Sequence, residues 1–562
     1  MYKSPDIPMP RVEVVFPERL TELWLKALAR PETDLKCKAA DAIALARRRG
    51  MKELETTIAP LRAALDQADQ HPTVRLAVAR TLIALEARET APSLWQQAQS
   101  GSRELRDLVE PALARWDYRP ARSIWLERLR DPATARQNLM LAIQALGTVH
   151  EDKAAEGILA LVRSNREGAV RLEAARALGS LRGDGLEKDA ENVAADASPH
   201  AVLFRAAAAV LLQQHRSEQA IRLLRRLADD PEPAVVAPAV ARLLALDPEL
   251  LVPMVERLVA NSDANVRSVG VEVLFREPSE KHLHLLAERL DDVHPDVRRK
   301  ARTSLKELAA KPEWRATVLA DGMRQLATQR WRALEQATIL LAQLDHKPAA
   351  ERLVELLSFD RAEVFITAAW GLRQLAVAET LPAIVSHVAA ELKRVKHAEN
   401  QFTPFFFQRD HQLSQLNQLL GRMKCEAGET TLRQYIPRIE GPKRPVLWPE
   451  SRAAAIWALG MIREGRAPVT LALDVEARLT DTNRLPPEDD RVRLMATIAL
   501  GRLKAQDALP TLRVYRGNPA DPPSDIIQCA VAWSIHEITG EAMLAPKVTR
   551  RVERDWFLFP RE

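Results

Sequence analysis

A unit that recurs every 31–36 residues through the middle of the chain constrains this sequence more than any other feature. Its clearest copy is LLAERLDDVHPDVRRKARTSLKEL, from Leu285 to Leu308, which reads as helix, turn, helix. Asp291 and Asp292 mark the turn. Pro295 opens the second helix, where its missing N–H would have no intrahelical partner. Val297, Ala301, Leu305 and Leu308 then fall on one apolar stripe of a 3.6-residue helix. With Val297 as the anchor, equivalents stand at Leu35, Val74, Leu105, Asn138, Val170, Val202, Val235 and Val266 before it. Ala333, Val364, Gln412, Ser451, Val492 and Ile527 follow it. A fixed period of this size signals stacked supersecondary units. Four residues past the anchor the side chain stays small, as at Ala142, Ala174, Ala301, Ala337 and Ala455; eight past it stands a large aliphatic, as at Leu146, Leu178, Leu305 and Leu459. Gly147, Gly179, Gly421, Gly460 and Gly501 come next, as a helix end or a tight helix crossing requires.

The stretch ALGTVHEDKAAEGILALVRSNREGAVRLEAARALGSL at 145–181 and the Asp-x-x-x-x-Val-Arg turn at 292–298 resemble the HEAT repeat in its bacterial form. The resemblance covers roughly residues 21–545, in about fifteen degenerate copies. It implies an all-α fold, a right-handed α-α superhelix. HEAT arrays serve as scaffolds, adaptors, transport receptors and, rarely, enzymes, so the fold alone does not decide the function.

At 562 residues the chain exceeds the size at which one globular core stops growing. A repeat array avoids that limit, because each unit buries its face against its neighbours. Hydrophobic content of 47% with 5% aromatic suits Ala- and Leu-rich helix packing. Net charge is +5 with 28% charged residues, which permits acidic partners without demanding them. Cys37, Cys425 and Cys529 stand too far apart for a metal or redox motif. No apolar run reaches transmembrane length and no signal peptide is written, so the chain reads as cytoplasmic. The Pro-rich opener Ser4–Pro10 would also suit a linker left after processing of an exported or lipid-anchored precursor.

Four regions are expected. Residues 1–20 read as an extended arm, with the alternating RVEVVF at 11–16, that packs on the first repeat or reaches a partner. Residues 21–390 form a regular array, opened by a capping helix with Leu20, Leu23, Trp24 and Leu28. Across 391–545 repeats continue with long inter-repeat loops, because the anchor steps lengthen to 48, 39, 41 and 35 residues. Residues 546–562 form a basic and then aromatic tail, which folds back as a C-terminal cap or docks into a partner or onto a membrane surface.

Motifs for catalysis are absent: no G-x-S-x-G, H-E-x-x-H, Walker A or G-x-G-x-x-G occurs. The HEAT-repeat hydroxylase holds iron through His-Glu dipeptides at repeat spacing, but His150-Glu151 and His536-Glu537 are too far apart to share a metal. Trp331, Trp370 and Asp360 supply the residue types of the HEAT-like DNA glycosylases, yet each sits at an ordinary repeat position. The chain is therefore expected to be non-enzymatic, with no catalytic, cofactor or metal residues. It reads as a scaffold or adaptor that binds another protein, or a multiprotein complex, along a curved surface. The alternative is nucleic-acid binding through Arg on the concave face. The arginines after the anchors (Arg75, Arg106, Arg171, Arg267, Arg298) are expected instead to pair with turn acids such as Asp263 and Asp296. Partner contacts are expected from Phe402, Phe405, Phe406 and Phe407 in a loop beside Lys393 and Arg394, from Trp448, and from Trp556 and Phe557 of the tail. Three successive Phe in an extended loop would alternate sides, leaving a ring in solvent.

Overall fold

The computed structural model describes residues 5–164, 167–196, 201–396, 404–437 and 448–552. Among the described residues thirty α-helices follow one another as fifteen pairs, and each of the fifteen anchors lies in the second helix of its pair. The fold among the described residues is all-α apart from one two-stranded sheet, which joins Arg11–Val15 to Val548–Val552. The arm thus pairs with the chain's last described segment. Two compact units form, one built around Val14–Val273 and the other around Leu274–Thr549.

Within each unit the second helices stack on one another. In the first, Gly168–Leu181 packs on Ala201–Leu211; in the second, Ala362–Leu375, Pro404–Arg422, Pro449–Ile462, Asp490–Leu503 and Ile526–Thr539 form a continuous row. Each also packs against its own first helix, so burial comes from several sides and the sequence is apolar nearly all round. Pro449–Ile462 buries Ala453, Ala454, Ala455, Ile456, Ala458 and Leu459. First helices bury one stripe only. Glu218–Ala228 buries Leu223, Leu224, Leu227 and Ala228 while Arg222, Arg225 and Arg226 stay exposed.

The small residues set how close the rows approach. Ala142, Ala174, Ala301, Ala337 and Ala455 are fully buried. The following glycines serve close crossings rather than chain reversals, since none has a positive φ. A Cβ on Gly421 would lie 2.5 Å from Cα of Ala458 in the next second helix. Gly421→Ala is therefore expected to cost about 1–3 kcal/mol, because backbone must move where side chains cannot. A urea midpoint unchanged from the parent would contradict this packing.

Two further devices repeat. Second helices leave through a left-handed residue twelve past the anchor: Glu86, Asp117, His150, Asp345, Ala376, Lys424 and Lys504 have φ of 48–56°. Non-glycine residues carry a local strain there that the surrounding repeat must hold. Arginine next to the anchor ties off the preceding first helix. Arg75 donates to the carbonyls of Gln67 and Ala68, Arg106 to Gly101, Arg171 to Val162, Arg267 to Asn261 and Ser262, and Arg298 to Asp292 and Val293. Arg452 and Arg493 do the same with Tyr435, Ile436 and Leu479. Backbone carbonyls thus share these guanidinium groups with acids, though not with the acids expected: Arg171 also lies 3.6 Å from Asp196 and Arg493 2.9 Å from Asp490. Asp296 instead pairs with Arg299, and Asp263 caps its own helix by accepting from the N–H groups of Asn265 and Val266. The last carbonyls of a helix lack intrahelical partners and carry partial negative charge, so a guanidinium fits there better than at a mobile carboxylate.

The first long interval also differs from expectation. Lys393 and Arg394 lie within the 16-residue helix Leu381–Lys396, and Phe405–Phe407 within the 19-residue helix Pro404–Arg422. Longer helices, not only loops, lengthen the step. Residues 481–489 and 517–525 do connect helices without regular structure.

Candidate partner-binding edge

Because successive second helices are stacked and entered in the same sense, their N-termini line one edge of the 274–549 unit. Phe407 lies in the first turn of Pro404–Arg422, and Trp448 is the N-cap residue of Pro449–Ile462. Their rings meet with centroids 4.0 Å apart and planes at 36°. Phe407 remains 46% exposed. An aromatic pair in contact and still open to water is a common element of interface centres.

Helix Leu381–Lys396 packs against Pro404–Arg422 and carries exposed Lys393 and Arg394; Arg394 sits 3.6 Å from Glu391. Of the expected contact residues, the structure thus joins Phe407 to Trp448 and sets Lys393 and Arg394 on the packed neighbour. Phe402, Trp556 and Phe557 lie outside the described residues, as do the side chains of Phe405 and Phe406. The alternation argument fails, since neighbouring residues on a helix fan out by about 100° instead of switching sides.

A second cluster on the same edge escaped the sequence reading. Trp331 opens helix Trp331–Gln343, and three guanidinium groups surround its ring: Arg361 at 4.3 Å, Arg332 at 4.8 Å and Arg298 at 5.8 Å. These residues come from three successive repeats. The sequence held a signal, Trp two before one anchor with Arg just after the previous anchor and three before the next. That combination becomes visible only once the repeats are stacked.

Beneath the edge lies a polar floor. Arg409, 4% exposed in its side chain, donates to the Leu357 carbonyl at 3.0 Å and to Gln412 at 2.8 Å, and stacks 3.9 Å from the Phe365 ring. Buried Asp410 accepts from the Ser451 N–H at 3.0 Å, so it caps the helix of the next repeat from outside. Burial pushes its carboxyl up to about 6, against the hydrogen bonds from Ser451. Burial lowers His387 and raises the hydroxyl of fully buried Tyr435. Arg452 grips Glu488 through two hydrogen bonds of 2.7 Å. Gln412 and Ser451 stand at anchor positions where most repeats carry an aliphatic residue or Ala, and that substitution was the floor's mark in the sequence.

Elsewhere, a groove of about 700 Å³ crosses the second helices of the other unit, lined by Ala114, Ala145, Ala177, Arg115 and Arg176 among others. No group of three or more His, Cys, Asp or Glu among the described residues could hold a metal ion. Burial pushes the Cys529 thiol up to about 11, which keeps it protonated and unreactive near neutrality. Among the described residues no helix is long and apolar enough to cross a membrane.

No family model matches the chain, and no curated protein matches it in sequence. Solved structures do. A chain from the structure of Kap95p with RanGDP aligns at 14% identity and a TM-score of 0.50, over 92% of this chain and 72% of its own length. Importin beta crystallised with ammonium sulfate aligns at 13% identity and 0.48, over 92% and 72%. Kap121p bound to Ste12p aligns at 14% and 0.49, over 93% of this chain but 57% of the other. At such identities the likeness concerns the fold. With the repeated helix pairs, it makes this chain a helical solenoid of the HEAT-repeat kind.

Proposed function

We propose that the protein is a non-enzymatic adaptor that binds a segment of another protein along the second-helix edge of residues 274–549. The observation that carries this reading is the open Phe407–Trp448 pair, with exposed Lys393 and Arg394 on the helix packed against Pro404–Arg422. Large aromatic rings held in place by neighbouring helices offer contact area at little entropic cost, which is what binding hot spots require. The anchor arginines do not favour a nucleic-acid face, because their guanidinium groups are engaged by the protein's own carbonyls.

The double change Phe407→Ser with Trp448→Ser tests this. Partner capture from native extract, followed by mass spectrometry, is expected to lose at least about tenfold of its dominant protein, in line with removal of a hot spot of about 1.4 kcal/mol or more. The melting temperature should stay close to the parent's. Capture that falls only in proportion to lost folded protein would make the pair a seal between repeats, and unchanged capture would remove this edge from the function.

A further inference from the structure

We infer that this edge is a track for an extended, acidic segment of the partner, with carboxylates read around Trp331 and apolar side chains read at Phe407 and Trp448. The inference rests on the adaptor reading and specifies its ligand.

Position supplies the first argument. Arg298, Trp331, Arg332, Arg361, Phe407 and Trp448 all lie at the cap or in the first turns of five successive second helices, those beginning at Pro295, Trp331, Ala362, Pro404 and Pro449. Each of these helices packs on the next. Packed helices stand about 8–10 Å apart, so five starts span roughly 40 Å. An extended chain rises about 3.3 Å per residue and covers that distance in roughly twelve residues.

Charge supplies the second. Arg332 makes no ion pair among the described residues, and Arg298 donates only to two backbone carbonyls. Arg361 has one carboxylate, Glu363, at 3.4 Å. Three cations thus converge on one indole; Arg298 is held by its carbonyls, which leaves Arg332 and Arg361, with the single acid Glu363, to meet a ligand. A guanidinium stacked on a ring keeps its N–H edge directed outward, pre-arranged for the fork of a carboxylate.

The same edge argues against a continuous polyanion. Asp296, Asp360 and Glu363 are exposed along it and would repel an evenly spaced phosphate backbone. A peptide can set its acids opposite the guanidinium groups and neutral residues opposite these carboxylates. Its far end would meet the half-exposed Phe407 ring, which favours an apolar side chain.

The test uses a displayed library of random dodecapeptides and a twelve-nucleotide single strand as probes. The parent chain is expected to select peptides rich in Asp and Glu towards one end and apolar towards the other. R332E/R361E should bind those peptides at least about tenfold more weakly and select Lys- or Arg-rich peptides in their place. Neither arginine is buried, so the variant's melting temperature should match the parent's. Selected peptides without acid enrichment, or a change of affinity under about twofold, overturn the inference. So does tight binding of the oligonucleotide that is lost in R332E/R361E. If F407S/W448S loses the peptides while R332E/R361E keeps them, the adaptor reading survives and the acidic track does not. If both variants keep them, both readings fall.

Discussion

Glu488→Leu is expected to destabilise the 449–503 region by about 3–5 kcal/mol, the usual consequence of removing one partner from a buried ion pair. Glu488 and Arg452 expose only 3% and 5% of their side chains, and two hydrogen bonds of 2.7 Å join them. Arg478 approaches Glu488 at 3.2 Å and Asp481 at 3.3 Å, both inside the same shell. Taking away the Glu488 carboxylate would leave two cations against one remaining acid, well away from water. Long repeat arrays do not unfold in one step, so the loss belongs to a local measurement. Hydrogen exchange in Pro449–Ile462 and Asp490–Leu503 should accelerate by roughly two to three and a half decades. Glu541→Ala offers the control: its pair with Arg513 at 2.7 Å has side chains 60% and 52% exposed and should matter by about 0–1 kcal/mol.

The direction with pH follows from the same contacts. Burial tends to raise the Glu488 carboxyl, but the hydrogen bond and charge of Arg452 outweigh it and hold the group below its ordinary value. A depressed acid stabilises the native state above its unfolded value, near about 4.3, and that stability fades as pH falls through the folded value. The gap between parent and Glu488→Leu should therefore narrow below about pH 4. A gap that stays constant down to about pH 3 would show that lost shape rather than lost charge is responsible. The paired change Arg452→Met with Glu488→Leu should recover much of the stability, since a well-packed apolar pair can replace an ionic one.

Periodicity made the fold legible. Apolar anchors such as Val297 and Val364 recur because each second helix must bury the same stripe between two neighbours, and the fifteen anchors all fall in second helices. Small residues and glycines marked the crossings for the same reason. Other features were hidden by their chemistry. A left-handed residue is usually signalled by Gly, yet here Glu86, Asp117, Ala376 and Lys504 hold that conformation and leave no trace in composition. Arginine beside Asp suggested ion pairs, whereas the orphan carbonyls that Arg75 and Arg298 serve belong to the backbone and are invisible in a sequence.

The site was half legible. Aromatics beside cations drew attention to Phe407 and Trp448, and the structure brings these two into contact. The reading of Phe405–Phe407 as part of an extended loop went wrong because a longer helix and a longer loop stretch the repeat period alike. Trp331 is more instructive. Of its three arginines only Arg332 is a neighbour in sequence; Arg298 and Arg361 stand a full repeat away on either side, and stacking alone brings them within 6 Å. Sequence reasoning finds residue types within a repeat; sites built across repeats need the stack.

Asp410→Asn is expected to stabilise the protein at pH 7.5 by about 3 kcal/mol, since each tenfold change in a group's proton affinity on folding is worth about 1.4 kcal/mol. The carboxyl of Asp410 titrates at about 6 in the folded chain, pushed up by burial and held back by the hydrogen bonds from Ser451 and by His411, with Glu450 adding to the rise. In the unfolded chain it titrates near about 3.9. Between those values the native state keeps a proton that the unfolded state has released, so this group's contribution to stability falls as pH rises from about 4 to about 6. Above that window the fold carries a buried carboxylate at full cost. Asn keeps an oxygen to accept from the Ser451 N–H, which preserves the cap across repeats, and removes the charge. The variant and the parent should converge near about pH 4, where the native side chains are neutral in both. His387, which burial holds low, opposes this trend in the same pH range, because a depressed histidine loses stability as pH falls. Subtracting the parent's profile from the variant's cancels that contribution, since both proteins contain His387. The measurement is a set of chemical-denaturation midpoints between about pH 4 and about pH 8, read with exchange at Ser451. A variant less stable than the parent at pH 7.5 would mean that the charge of Asp410 is itself required, with His411 as its partner, and that the floor under the binding edge is ionic rather than merely hydrogen-bonded.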